Sequence, residues 1–238
     1  MRAWMVDVAA DPATLAVLPP STKQQIVLTA ERLFAGQGLD GVSLRQLAAA
    51  AGNANKSAVR YHFGSKERLI QAIFEYRLPA LTRRRQLLIA ERRPADLRSW
   101  VACYLRPVME QAEQDDSHYL TFVVQLHRYG AGEHPFDRLP EAFKVTTYDF
   151  IDRLRAMLPD IPEPLRTHRI SRAMTFWVHA SSDRERARQH GSPVLPFAVE
   201  VSDLLDGLIG FLEAPVSAEA LSALDGIDLP VMSRLVVP

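Results

Sequence analysis

S-L-R-Q-L-A-A-A-A-G-N-A-N-K-S-A-V-R-Y-H-F-G-S-K-E-R-L, from Ser43 to Leu69, is the stretch whose reading decides the fold. Ser43 has the chemistry of a helix N-cap, and Leu44, Leu47, Ala48 and Ala51 behind it share one face of a short helix. Gly52 supplies a turn. A third helix is expected from about Lys56 to Phe63, with Asn55 as cap and Gly64 as stop, so that Val59 and Phe63 face inward and Ser57, Arg60 and Tyr61 face elsewhere. Ser65 caps a fourth helix, whose inner face takes Leu69, Ile70, Ile73 and Phe74. Upstream, Ile26, Ala30, Leu33 and Phe34 form the stripe of a first helix, which starts at Ser21 or Thr22 and is ended by Gly36 and Gly38.

Two short helices around a glycine turn, the second exposing polar side chains, meet the needs of a major-groove reader. Lys56, Arg60, Tyr61, His62 and Lys66 place donors for phosphates within eleven residues. Arg60 also suits bidentate pairing with a guanine, and Asn55 an adenine or a phosphate. The same residues admit plainer readings: Tyr61 and His62 as packing side chains, Lys56 and Lys66 as solvated charges. Lysines at helix starts sit poorly with the positive dipole end, which an external anion would relieve.

Charge supports the polyanion reading. The net charge is zero, but residues 21–93 carry +8 and residues 94–238 carry −7. Hydrophobic residues at 47% and charged residues at 24% describe a folded globular chain. Its one cysteine, Cys103, allows no intramolecular disulfide and reads as a buried apolar residue in a reducing cytoplasm. Asp203, Asp206 and Glu213 interrupt the most apolar stretch, so no membrane partner is expected, and Asp7 and Asp11 break any signal-peptide core. No hydrolase elbow, nucleotide loop, zinc-protease motif or dinucleotide glycine pattern occurs, which leaves an enzyme without a motif. Neither cofactor nor metal is implied: His168 and His179 share a face but lie about 16 Å apart on a helix.

Three segments together resemble the TetR family of transcriptional regulators: A-x-x-L-F-x-x-x-G at Ala30 to Gly38, S-L-R-Q-L-A-A-A-A-G at Ser43 to Gly52, and Y-H-F-G-S-K-E-R-L at Tyr61 to Leu69. By position, the resemblance implies that Ser43, Arg45, Asn55, Lys56, Ser57, Ala58, Arg60, Tyr61, His62 and Lys66 approach double-stranded operator DNA. Many members place Gly-Thr-Leu-Tyr where this chain has Ser57, Ala58, Val59 and Arg60, so base preference there is open. The implied fold is all-α: a three-helix helix-turn-helix domain joined to a larger helical ligand-binding and dimerisation domain.

The expected organisation is an N-terminal extension over 1–20, a DNA-binding domain over 21–66 and a ligand-binding and dimerisation domain over 67–238. A fourth helix over 66–92 links the two, and Pro79 within it is expected to kink it. Further helices are expected near 96–114, 117–129, 140–158, 163–190 and 197–213, with a last one after Ser217 and a break from Gly130 to Pro140. Trp100, Tyr104, Phe122, Leu126, Phe143, Tyr148, Met174 and Trp177 are candidate linings for an apolar or aromatic small-molecule effector, with His127 beside them. Each also suits plain core. Ile170, Val178, Val201, Leu204, Leu205, Leu208 and Leu212 are candidate homodimer contacts, with Gly207 and Gly210 permitting close approach; the alternative is that these stripes close the protomer's own core. The expected function is a repressor released from a palindromic operator by its effector. The competing reading is a DNA-binding regulator with no small ligand.

Overall fold

A computed structural model describes residues 21–51, 58–127 and 139–225. The expected extension over 1–20 and most of the break before Pro140 lie outside the described residues. Within them the chain is helical throughout, with no strand. The first four helices are α1 (Thr22–Gln37), α2 (Leu44–Ala50), α3 (Ala58–Phe63) and α4 (Lys66–Arg92). They are followed by α5 (Leu97–Ala112), α6 (Tyr119–His127), α7 (Glu141–Met157), α8 (Glu163–Gln189), α9 (Phe197–Glu213) and α10 (Ala218–Leu224). No single described helix is long and apolar enough to cross a membrane.

Local chemistry sets most boundaries. Ser21 and Gln24 form a reciprocal capping box that starts α1, and Ser43 and Gln46 form another that starts α2. Gly36 lies inside α1 rather than ending it; the stop is Gly38, whose φ of +72° suits a residue without a Cβ. Gly64, at +71°, separates α3 from Ser65, which caps α4. Helix α4 continues through Pro79, and α5 through Pro107, a buried proline at which the backbone can donate no hydrogen bond.

A single apolar cluster crosses the expected seam at residues 66 and 67. Helix α1 packs on α4 and α6, and α6 packs in turn on α8. Phe122 of α6 sits 6.2 Å from Phe34 of α1 and 5.8 Å from Phe74 of α4. Beside these rings the Arg77 guanidinium forks onto Glu31, with both N–O distances 2.7 Å and both side chains buried. Glu31 also accepts the His118 backbone N–H at 3.0 Å.

From the other side, the buried Glu185 of α8 accepts the backbone N–H groups of Leu120 and Thr121 and the hydroxyls of Ser117 and Thr121. Carboxylates from α1 and α8 thus hold the positive end of α6, each satisfying backbone donors that the helix leaves open. Burial raises the Glu185 pKa, and the bonds from Thr121, Ser117 and Leu120 oppose that rise without cancelling it. A carboxyl raised in the folded state contributes stability that is complete below the ordinary glutamate range and is lost as pH climbs through the raised value. Urea midpoints of the wild type should therefore fall relative to those of Glu185→Gln as pH rises through that window, against the opposite slope from carboxyls held low such as Glu110. An identical slope in the variant would show that Glu185 does not set it.

Candidate functional site

The six residues of α3 divide as the period requires. Val59 and Phe63 are buried, while Arg60, Tyr61 and His62 are exposed, Tyr61 at 85%. The packing reading of Tyr61 and His62 is thereby excluded for this chain. Their rings meet edge to face at 5.2 Å, so each restrains the other on the outer side of the helix. Lys23 of α1 lies 6.0 Å from the Phe63 ring, behind the same helix. Arg45 is exposed on the first turn of α2. Asn55, Lys56 and Ser57 fall outside the described residues, and Ala58 is described only as the first residue of α3.

Ser43 is exposed, but its hydroxyl donates to Gln46 Oε1 at 2.7 Å and accepts from the Gln46 N–H, so its first role is the cap. Lys66 needs no external anion to offset the helix start: its Nζ donates to the Leu39 carbonyl at 2.7 Å, tying α4 to the loop between α1 and α2. That is a structural contact across 27 residues, invisible to local spacing. Lys66→Ala is expected to lower stability by about 1–2 kcal/mol, as loss of a charged hydrogen bond would. Chemical denaturation checks this, and an unchanged midpoint would return Lys66 to the solvated charges.

The basic excess of the first third is likewise partly internal. Arg68 is bound bidentately to Glu75, Arg77 to Glu31 and Arg84 to Glu110, while Arg85 is buried with its guanidinium 3.7 Å over the Tyr104 ring. The outward basic groups near α3 are accordingly fewer than the net charge suggests.

Of the candidate effector residues, Trp100 and Tyr104 line a cavity of about 590 Å³ bordered by α4, α5 and α7. Tyr104 stacks on Phe150 at 3.6 Å and 6°, and its hydroxyl donates to Thr147 at 2.7 Å. Burial pushes the Tyr104 pKa up, keeping the phenol protonated. Gln86, Ile89 and Arg153 complete the walls, with Arg153 4.8 Å from the Trp100 ring. Phe150 was missed in the sequence because it reads as one more core position on α7.

The remaining candidates lie elsewhere. Phe122 belongs to the ring cluster under α1, and Leu126 of α6 and Met174 and Trp177 of α8 are buried in the core. His127 is half-buried with its ring stacked on His179 at 6.2 Å. Phe143 packs on the edge of the core, and Tyr148 is exposed.

The candidate dimer stripe lies largely within the protomer's own core. Ile170, Val178, Val201, Leu205, Leu208 and Leu212 are buried within the protomer, and Leu204 is half-buried against the same core. The six buried residues close the protomer's own core, and Leu204 keeps an exposed edge. The outer face of α8 and α9 presents instead Phe176 (52% exposed) and Phe211 (44%), flanking a cavity of about 330 Å³ lined also by Arg172, Ala173 and Gly207. A Cβ built at Gly207 or Gly210 meets nothing within 4 Å, so the backbone there is open to close approach. Cys103 is fully buried and its pKa is raised by burial, which disfavours the thiolate a nucleophile requires.

Two family models match the chain: bacterial regulatory proteins of the tetR family over residues 26–73, and a tetracyclin repressor-like C-terminal domain over residues 102–214. Between them they span more than half of it. No curated protein matches. Among solved structures, the fatty acid degradation regulator FadR from Bacillus halodurans is similar with a TM-score of 0.55 at 14% identity, over 81% of this chain and 96% of that one; the likeness is one of fold. NalD, the secondary repressor of the MexAB-OprM multidrug efflux pump in Pseudomonas aeruginosa, is 20% identical over 79% of this chain and 94% of that one, with a TM-score of 0.47. The all-helical architecture, a short third helix carrying its polar side chains outward and matches to both halves of one family's pattern lead to one assignment: the chain belongs to the TetR family of DNA-binding bacterial regulators, a family of regulators and not of enzymes.

Proposed function

We propose that this regulator is a repressor that holds a palindromic operator as a homodimer and is released by an apolar or aromatic small molecule. The observation that carries the DNA reading is α3 itself, whose buried Val59 and Phe63 leave Arg60, Tyr61 and His62 outward. In this reading residues 21–66 are the reader and residues 67–238 the effector and dimer unit. Arg60, with Asn55 and Ser57, reads base edges; Ser43, Arg45, Lys56, Ala58, Tyr61, His62 and Lys66 lie along the backbone and set register. So short a helix gains its affinity from two half-sites about 34 Å apart.

The effector occupies the groove floored by Trp100, Tyr104 and Phe150, where an aromatic ligand finds stacked rings and a polar rim of Asp149, Asp152 and Arg153. Gln86 and Ile89 of α4 border that groove, and the same helix begins beside the reader, so a ligand that prefers one setting of α4 shifts the reader with it.

Selection of bound duplexes from a random pool, followed by anisotropy titration of the winner, tests the reading. A palindrome is expected, and Arg60→Ala should weaken binding by about 1–3 kcal/mol and relax preference at one position of each half-site. An asymmetric or absent consensus would defeat the palindromic reading. Operator affinity that no compound in a panel of aromatic and apolar molecules alters would leave the regulator without a small-molecule effector.

A further inference from the structure

An acid followed by an arginine occurs in both α1 and α8, as Glu31-Arg32 and Glu185-Arg186. In each pair the acid is buried and the arginine exposed. Glu31 is committed to Arg77 and the His118 amide, and Glu185 to the first amides of α6, so both carboxylates turn inward and leave the outer side basic. Arg32 and Arg186 both line one cleft of about 560 Å³, whose walls include His118, Gln125, Gln189 and His190.

The acids near this cleft do not neutralise it. Asp183 is 3.7 Å from Arg186, but both side chains are largely exposed, and such a pair is weak. Asp116 acts on His118, and no carboxylate among the described residues pairs with Arg32. Gln189 Nε2 donates to the Ser117 carbonyl at 2.5 Å and to His118 Nδ1 at 3.0 Å. With Nδ1 accepting, the neutral His118 ring carries its proton on Nε2, which remains a donor. Burial, together with Arg32 and Arg77, outweighs the opposing pull of Glu31 and Asp116 and lowers the His118 pKa, which favours that neutral form.

We propose that this cleft is a second ligand site, separate from the aromatic groove, for a small molecule bearing phosphate groups shared between Arg32 and Arg186. Guanidinium forks match phosphate oxygens in geometry and charge, and the cleft is large enough for a diphosphate and part of what it is attached to. An anion held by both arginines ties α1 of the reader to α8 of the body directly across α6, and so fixes the reader in one setting.

Calorimetric titration of the full chain, without DNA, with potassium pyrophosphate against potassium chloride at matched ionic strength tests this. Saturable binding to one site per chain is expected, weakened more than about tenfold in the Arg32→Gln/Arg186→Gln double variant. Heats no different from chloride, or equal affinity in the double variant, would overturn the proposal. Operator DNA is the other source of phosphate. The salt slope of operator binding should be the same in wild type and double variant; a slope flattened by about one unit per arginine would assign the cleft to the DNA backbone and overturn the proposal as well.

Discussion

Replacing Arg77 with methionine is expected to cost about 3–5 kcal/mol of stability. Glu31 is fully buried and both its oxygens lie 2.7 Å from the guanidinium, so Arg77→Met leaves a carboxylate inside the protein with only the His118 N–H to oppose it. Burial weighs against the charge of Arg77, and its bonds to Glu31 more than offset that, raising its pKa further. The pair must therefore be broken to be measured.

The companion variant separates the value of the pair from the penalty of the orphan. Glu31→Met with Arg77→Met removes both charges, and well-packed apolar replacements of a buried pair are often neutral or better. The double variant should recover most of the loss in guanidinium denaturation, retaining a deficit of about 1–3 kcal/mol for the unpaired His118 amide. If Arg77→Met alone unfolds at the wild-type midpoint, the pair does not hold the reader to the body. Because Glu31 lies on α1 and Arg77 on α4, and the His118 amide precedes α6, the same variant should also loosen the reader's orientation and weaken operator binding at temperatures where it remains folded.

What the sequence made legible was local. Ser21, Ser43, Ser65 and Ser217 each cap the helix that follows through their own hydroxyl, a bond that spans three residues and so leaves its mark in the order of the chain. The outward set Arg60, Tyr61 and His62 was legible for the same reason, since a six-residue helix has one face to bury and Val59 and Phe63 take it. Contacts across the fold left no such mark. Lys66 reads as an anion contact alone until the Leu39 carbonyl appears beside it, and Arg77, Arg84 and Arg85 count as surface charge until their partners, 19 to 46 residues away, are known.

The aromatic candidates show the same division. Trp100, Tyr104, Phe122 and Trp177 are all aromatic and all buried, yet the first two line the groove between α4, α5 and α7 and the other two do not. The stripes of α8 and α9 are ambiguous for a sharper reason: a run of leucines states that a face is buried and says nothing of whether its cover is the same chain or another. The phenylalanines that stay exposed on α8 and α9 are the interrupted ones, Phe176 and Phe211, set among glycines and charges where periodicity is weak.

That outer face leads to the second large effect, expected of Phe211→Glu. Phe211 is 44% exposed and borders the apolar depression with Phe176, beside Gly207 and Gly210 where a facing helix can approach closely. Exposed aromatic patches of this kind mark contact surfaces. In a two-fold dimer the face meets its own copy, so one substitution places a carboxylate on each side of the interface and sets like charges together in a desolvated contact. Sedimentation should show a monomer at micromolar concentrations where the wild type is a dimer. The folded protomer should persist, because the side chains that close its core, Leu208 and Leu212 among them, are untouched.

Operator affinity should then fall by about two orders of magnitude or more, since the second half-site no longer binds at the effective concentration that the dimer imposes. The salt slope should drop towards half, as half the phosphate contacts are lost from each complex. Leu212→Ala supplies the contrast, because its side chain is covered within the protomer and does not border the depression: it should lower the melting temperature and leave the dimer intact. A dimeric Phe211→Glu with wild-type operator affinity would move the interface off the outer face of α8 and α9, and a monomeric Leu212→Ala would return it to the inner stripe.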